Sequence, residues 1–265
     1  MAYIPITNLG NATDMVFRLT HEDDSPHLGA QDIKFWLNES ERILLGEKYY
    51  PFLDVSKIFV QSVDTKLNEA IAVGNTDFDV VDSSDLFSAG TVLIDNDFIA
   101  YTANDGVDTL SGVTGIAVAA VSATKVRQVY SLANDLSITQ FDKPISLHID
   151  DTEYIYYDAR DGFNNIGYTI YDGYLIIPHS TSGGTVTLKY KAGVGNMDDD
   201  TDVFTTPQKY IGIHVQYAVY MSKMAINDPT YPNHYREYLR LRNLFLAAYG
   251  NQTERKDKFL RSPYA

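Results

Sequence analysis

Six histidines and several clustered acids are the side chains through which this chain would bind a metal or move a proton. His21, His27, His148, His179, His214 and His234 are scattered, and none forms the HxxxH or HExxH spacing that sets two imidazoles on one helix face for zinc. His214 falls in a largely apolar helical run, which is the setting of a hydrogen-bonded core or interface residue rather than of a ligand. Asp198-Asp199-Asp200 with Asp202 concentrates carboxylates, yet it lacks the glycine and the distal bidentate glutamate of an EF-hand loop and reads as a solvated acidic loop. Asp150, Asp151 and Glu153 sit at a hairpin turn, where acids serve the backbone. There is no cysteine, which excludes disulfides, thiol catalysis and cysteine-ligated zinc. No GxxxxGK[ST], GxGxxG or GxSxG motif occurs. The reading is therefore a protein without catalytic residues, metal site or cofactor.

The elements that would carry any interaction are helices at the two ends and strands between them. Thr206-Pro207 reads as a helix opening, with a capping hydroxyl followed by a proline at the first helical position. From Tyr210 to Ile226 apolar residues occupy more than one face, so this helix is expected to be covered from two sides. Asp228-Pro229 to Pro232 breaks it, and a second helix follows to Gly250 with Tyr235, Tyr238, Leu239, Phe245, Leu246 and Tyr249 on one side and Arg236, Arg240 and Asn243 opposite. A third helix is expected from Gly29 to Tyr49, where Ile33, Trp36, Leu37, Ile43 and Leu44 share a face and the single tryptophan anchors a core.

Between the helices the period changes to two. The turns Gly74-Asn75, Asp95-Asn96-Asp97, Asp105-Gly106, Asp150-Asp151-Thr152 and Asp172-Gly173 separate short β-rich runs. The expected class is α+β: a small helical bundle, formed by the N-terminal helix and a C-terminal helical hairpin, with two inserted antiparallel β modules. Its parts are an extended arm at 1–28, a helical core at 29–56 and 207–250, a β module at 57–131, a second β-sheet region at 132–206, and a basic tail at 251–265.

Composition narrows the partners. The chain of 265 residues has a net charge of −14, which argues against a surface that grips nucleic acid or an anionic membrane. The charge is uneven: the stretch from Pro232 onward carries seven basic and three acidic residues, leaving −18 on the rest. No run of eighteen apolar residues exists, and Met1-Ala2-Tyr3-Ile4-Pro5 lacks the basic start and apolar stretch of an export signal, so no membrane role is expected. Twenty tyrosines are many for this length, and tyrosine is enriched at interfaces because a large ring is buried while its hydroxyl stays satisfied.

Two stretches carry a resemblance. The order of a helix, strands ending in a Tyr-rich sheet (Tyr168-Thr-Ile-Tyr-Asp-Gly-Tyr-Leu-Ile-Ile-Pro178, then Val186-Thr-Leu-Lys-Tyr190), an acidic linker from Met197 to Asp202, a proline-started helix and a second Tyr/Arg-rich helix resembles the head-to-tail adaptor, or connector, proteins of tailed bacteriophages. Phe87 to Ile116 followed by Lys125-Val-Arg-Gln-Val-Tyr130 is similar to a β module of phage structural proteins, in which Gly-Thr-x-x-Ile-Asp leads to x-Ile-x-Tyr-Thr and then Leu-x-Gly-Val-Thr-Gly. This chain departs from that module at Ile116, where an arginine is usual, and lacks the downstream histidine.

The resemblance implies a structural virion protein of the neck, between capsid and tail, made in the host cytoplasm. It implies a homo-oligomeric ring, commonly of twelve copies, that joins the portal protein to a downstream tail, nozzle or stopper protein. DNA would pass through during ejection without sequence-specific binding. Arg255, Lys256, Lys258, Phe259, Arg261 and Tyr264 are then the candidate portal-binding residues. Tyr210, Ile213, Val215, Tyr217, Tyr220, Met224, Tyr235, Arg236, Tyr238 and Arg240 are the candidate subunit interface. The alternative is a β-rich tail-tip or fibre protein that recognises a host glycan.

Overall fold

The computed structural model describes residues 6–20, 28–46, 50–117, 119–158, 167–178, 180 and 182–249. Among them are four α-helices and thirteen strands. They divide into a helical unit, from residues up to Leu53 and from Gly193 on, and a β unit spanning Asp54–Ala192.

The helical unit comprises α1 (Leu9–Thr20), α2 (Ala30–Gly46), α3 (Gly212–Ala225) and α4 (Tyr231–Tyr249). Helix α1 occupies the stretch expected as an irregular arm. Asn8 caps it by accepting the Asn11 amide at 2.9 Å, and Leu9, Ala12 and Val16 form a buried stripe. Its periodicity is masked because the other stripe positions are Thr13 and Thr20, whose hydroxyls donate to the Leu9 and Val16 carbonyls and so bury as apolar groups would. Helix α2 begins where Asp32 Oδ2 accepts the Gly29 amide, a first-turn carboxylate reaching back to the entry of the helix.

Helix α3 is central. One of its faces, with Ile211, Val215, Ala218 and Val219, packs against Leu9, Ala12 and Val16 of α1 and Ile33 and Leu37 of α2. Its other face, with Ile213 and Tyr217, joins Leu44, Leu45, Tyr238 and Phe245. A helix apolar on several faces is thus covered by its own chain. Phe245 has no exposed surface and sits within ring contact of Tyr50, Phe52, Tyr210 and Tyr249, with centroids 5.1 to 6.4 Å away. Burial of such a ring contributes about 1.5–3 kcal/mol. Trp36 packs, partly buried, against the α1–α2–α3 core.

The β unit overturns the expected architecture. Its strands are β1 (Asp54–Gln61), β2 (Thr65–Lys66), β3 (Asp77–Asp79), β4 (Gly90–Ile94), β5 (Asp97–Tyr101), β6 (Ala103–Asn104), β7 (Thr109–Ser111), β8 (Lys125–Ser131), β9 (Phe141–Ile149), β10 (Thr152–Tyr154), β11 (Thr169–Tyr171), β12 (Tyr174–Ile176) and β13 (Gly184–Ala192). They form three antiparallel sheets, ordered β1-β13-β9-β10, β11-β12-β8-β4-β5 with β2 beside β8, and β3-β7-β6. The protein is mixed α+β and β-rich, not a small helical bundle carrying two β modules. The proposed border near residue 131 fails because β8 pairs with β4 on one side and β12 on the other. Likewise β1, assigned to the first module, is zipped along its length to β13, with Phe59 opposite Val186. Long-range pairing of this kind is set by which faces must be buried, not by local pattern.

Turns were placed correctly by composition. Asp95, Asp150, Asp151 and Asp172 all have positive φ between 45° and 68°, which aspartate tolerates and tight hairpins require. The glycines of the Leu-x-Gly-Val-Thr-Gly stretch have a steric reason. Gly112 (φ +62°) leaves no space for a Cβ beside the Thr102 hydroxyl, and a Cβ on Gly115 (φ +96°) would lie 2.7 Å from the Phe98 carbonyl oxygen. Gly115→Ala should therefore destabilise the β unit by about 1–3 kcal/mol, read as a lower denaturant midpoint. Ile116, where the similar module has arginine, is buried with Val92, Ile99 and Val126.

Candidate functional site

Two constellations emerge in the helical unit, one buried and one exposed. The buried one begins with two polar residues in the apolar stripe of α2. Ser40 is fully buried and Glu41 nearly so, on the same helix as buried Leu37 and Leu44. They meet His214 of α3 and Thr206, which lies six residues before α3. The Thr206 amide donates to Glu41 Oε1 at 2.8 Å. Thr206 Oγ1 also lies 2.9 Å from His214 Nε2, and His214 Nδ1 lies 3.0 Å from Ser40 Oγ, so both ring nitrogens are hydrogen-bonded. The imidazole also stacks on Phe204, 5.3 Å between centroids and 2° from parallel.

Burial drives both titratable groups toward neutrality. The His214 pKa is pushed down to about 3, so the ring is neutral at pH 7. Burial raises the Glu41 pKa, against the lowering effect of the Thr206 and Thr205 hydrogen bonds. A serine hydroxyl on an imidazole is also the arrangement of an activated nucleophile. Here neither Ser40 nor His214 has accessible surface, and the pair holds α2 to the entry of α3. Thr206 consequently does not cap its own helix: no side-chain cap bond is made at Pro207 or Ile211, and the carboxylate of Glu41 serves the Thr206 amide from another helix.

The exposed constellation is aromatic. Tyr217, Tyr220, Tyr231, Tyr235 and Tyr238 form a connected chain of rings across α3 and α4, with centroids between 4.9 and 6.2 Å apart. Tyr231, Tyr235 and Met224 remain 38%, 41% and 40% exposed. Burial raises the Tyr217 pKa, helped by the negative charge of Glu39. The turn between the helices is fixed by Asp228, which takes the Lys223 ammonium at 2.7 Å and accepts the Thr230 amide and hydroxyl; these partners hold its carboxyl far below the usual range.

The expected interface residues separate accordingly. Tyr217, Tyr220, Met224 and Tyr235 lie at this open face, whereas Arg236 and Arg240 are exposed on the outer side of α4, where Arg240 holds Glu237 through bonds of 2.6 and 2.7 Å. Ile213, Val215 and Tyr238 are instead buried in the chain's own cores, and Tyr210 packs on Phe245, because α1, α2 and α4 already cover α3. Ile213 and Val215 thus contribute to the chain's own cores rather than to its exposed surface. Tyr231 belongs to the face and was not among the expected residues. Arg255, Lys256, Lys258, Phe259, Arg261 and Tyr264 lie outside the described residues, as do His21, His27 and His179.

Asp198, Asp199 and Asp200 are exposed, as expected of a solvated loop, and Asp202 Oδ2 accepts the Asp198 and Asp199 amides. Among the described residues no group of three or more histidines and acids is arranged to hold a metal. In the β unit a shallow depression of about 150 Å³ is lined by Ile94 to Asp97, Ile99, Ala119 and Ala120. Among the described residues, no helix is long and apolar enough to cross a membrane. No family model matches the sequence, and no curated protein matches it.

Proposed function

We propose that this protein is a non-enzymatic structural component of a tailed-phage virion, an adaptor that assembles as a homo-oligomeric ring of about twelve copies at the neck. The observation that carries the reading is the aromatic face of α3 and α4, which the chain's own helices leave open. Tyrosine-rich surfaces of this kind are enriched where two proteins meet. The acidic charge of −14 supports a channel through which DNA slides without being gripped. The ring joins the portal to a downstream tail, nozzle or stopper protein, and its basic residues from Arg255 to Arg261 engage the portal.

Purified full-length protein and a chain ending at Gly250 should be compared for binding to a purified portal ring. Full-length protein is expected to co-sediment with the portal and the shortened chain is not. Equal binding by both would remove the tail from this role.

A further inference from the structure

The helical unit is charged asymmetrically across α3. On the outer side of α4, Arg236, Arg240 and Leu244 recur at four-residue steps and are all exposed, Leu244 by 52%. Arg240 is occupied by Glu237, while Arg236 has no ion pair among the described residues. The opposite flank of α3 is covered by α1, to which the acidic segment is fastened: the Leu9 amide donates to the Asp202 carbonyl at 2.8 Å and the Gly10 amide to the Asp200 carbonyl at 3.0 Å. Lys34 neutralises Asp200 at 2.7 Å, leaving Asp198 and Asp199 exposed beside Val203, which is 70% exposed. One flank therefore carries Arg236, unpaired among the described residues, and the Glu237-paired Arg240, with an apolar residue at its end, and the other carries exposed acids with an apolar residue at its edge.

Resting on the ring reading, we infer that neighbouring copies dock head to tail, the Arg236–Arg240–Leu244 side of α4 in one copy facing the Asp198–Asp199–Val203 flank of the next. The occupant of each flank is a second copy of this chain because the two charges are complementary within a single molecule. Like flanks repel, so two-fold pairing of α4 on α4 is selected against. Unlike flanks repeat in one direction, which is the contact that closes a ring when the rotation per copy allows it.

The test is charge reversal followed by sedimentation velocity at low salt. Arg236→Glu/Arg240→Glu and Asp198→Arg/Asp199→Arg are each expected to weaken self-association by about tenfold or more while leaving helical content intact. An equimolar mixture of the two variants should assemble again, because every contact then pairs opposite charges. A chain carrying all four changes should also assemble, and raised salt should weaken the wild type. Wild-type association that neither reversal alters, or a mixture that stays dissociated, overturns the head-to-tail contact and leaves the ring reading standing. Absence of any wild-type assembly, alone or on a portal ring, removes both.

Discussion

Val215→Asp should unfold the helical unit rather than yield a folded chain that cannot assemble. Val215 is 2% exposed and packs among the apolar side chains of Leu9, Ala12, Leu37 and Val219. A carboxylate there is an uncompensated buried charge, which costs about 3–5 kcal/mol. That is a large fraction of the stability of a typical domain, about 5–15 kcal/mol. The expected result is loss of cooperative thermal melting of the helical signal, with apolar dye binding. A variant that melts as the wild type does but fails to associate would place Val215 at a surface between copies. Tyr235→Asp is the counterpart: this residue is 41% exposed, so the chain should melt nearly normally and lose association.

Acidification should loosen the helical unit through His214. The folded ring stays neutral until about pH 3, whereas an unfolded histidine takes up a proton below about 6.5. The unfolded state binds more protons in that window, so stability is full above pH 6.5 and is lost as pH falls toward 3. At 1.36 kcal/mol per unit, the loss at pH 5 relative to pH 7 is about 2 kcal/mol. Glu41 acts oppositely, since its raised pKa makes the folded state take up a proton first as pH falls. Comparison with His214→Gln isolates the histidine: that variant should be less stable at pH 7 and should lack the decline between pH 6.5 and 5. An equal pH dependence in both proteins would remove His214 from the account.

Which features could be read from residues alone follows from how local their causes are. Hairpin turns at Asp95, Asp150 and Asp172 and helices α2, α3 and α4 rest on neighbouring residues, and they lie close to their expected places. Helix α1 was hidden by Thr13 and Thr20, which break an apolar stripe in print but bury their hydroxyls on the preceding turn in three dimensions. The sheet order was not local at all: β8 between β4 and β12, and β1 against β13, depend on faces separated by dozens of residues. The same holds for the buried polar chain. Glu41 reads in the sequence as part of the polar face of α2, and His214 on an apolar helix reads as a hydrogen-bonded residue, but nothing in either segment shows that Ser40, Glu41 and His214 are buried together and meet through Thr206. The apolar faces of α3 were read correctly as covered on two sides, yet the cover is α1, α2 and α4 and not a neighbouring copy.

This leaves the tyrosine face and the charged flanks as the surfaces on which the proposed assembly rests. The most direct test is the mass of the native assembly formed by the full chain, measured alone and in the presence of a portal ring. A closed ring of one fixed copy number, near twelve, that dissociates in Tyr235→Asp is the expected result. A chain that remains monomeric under both conditions, or that forms a trimer as a fibre would, contradicts it.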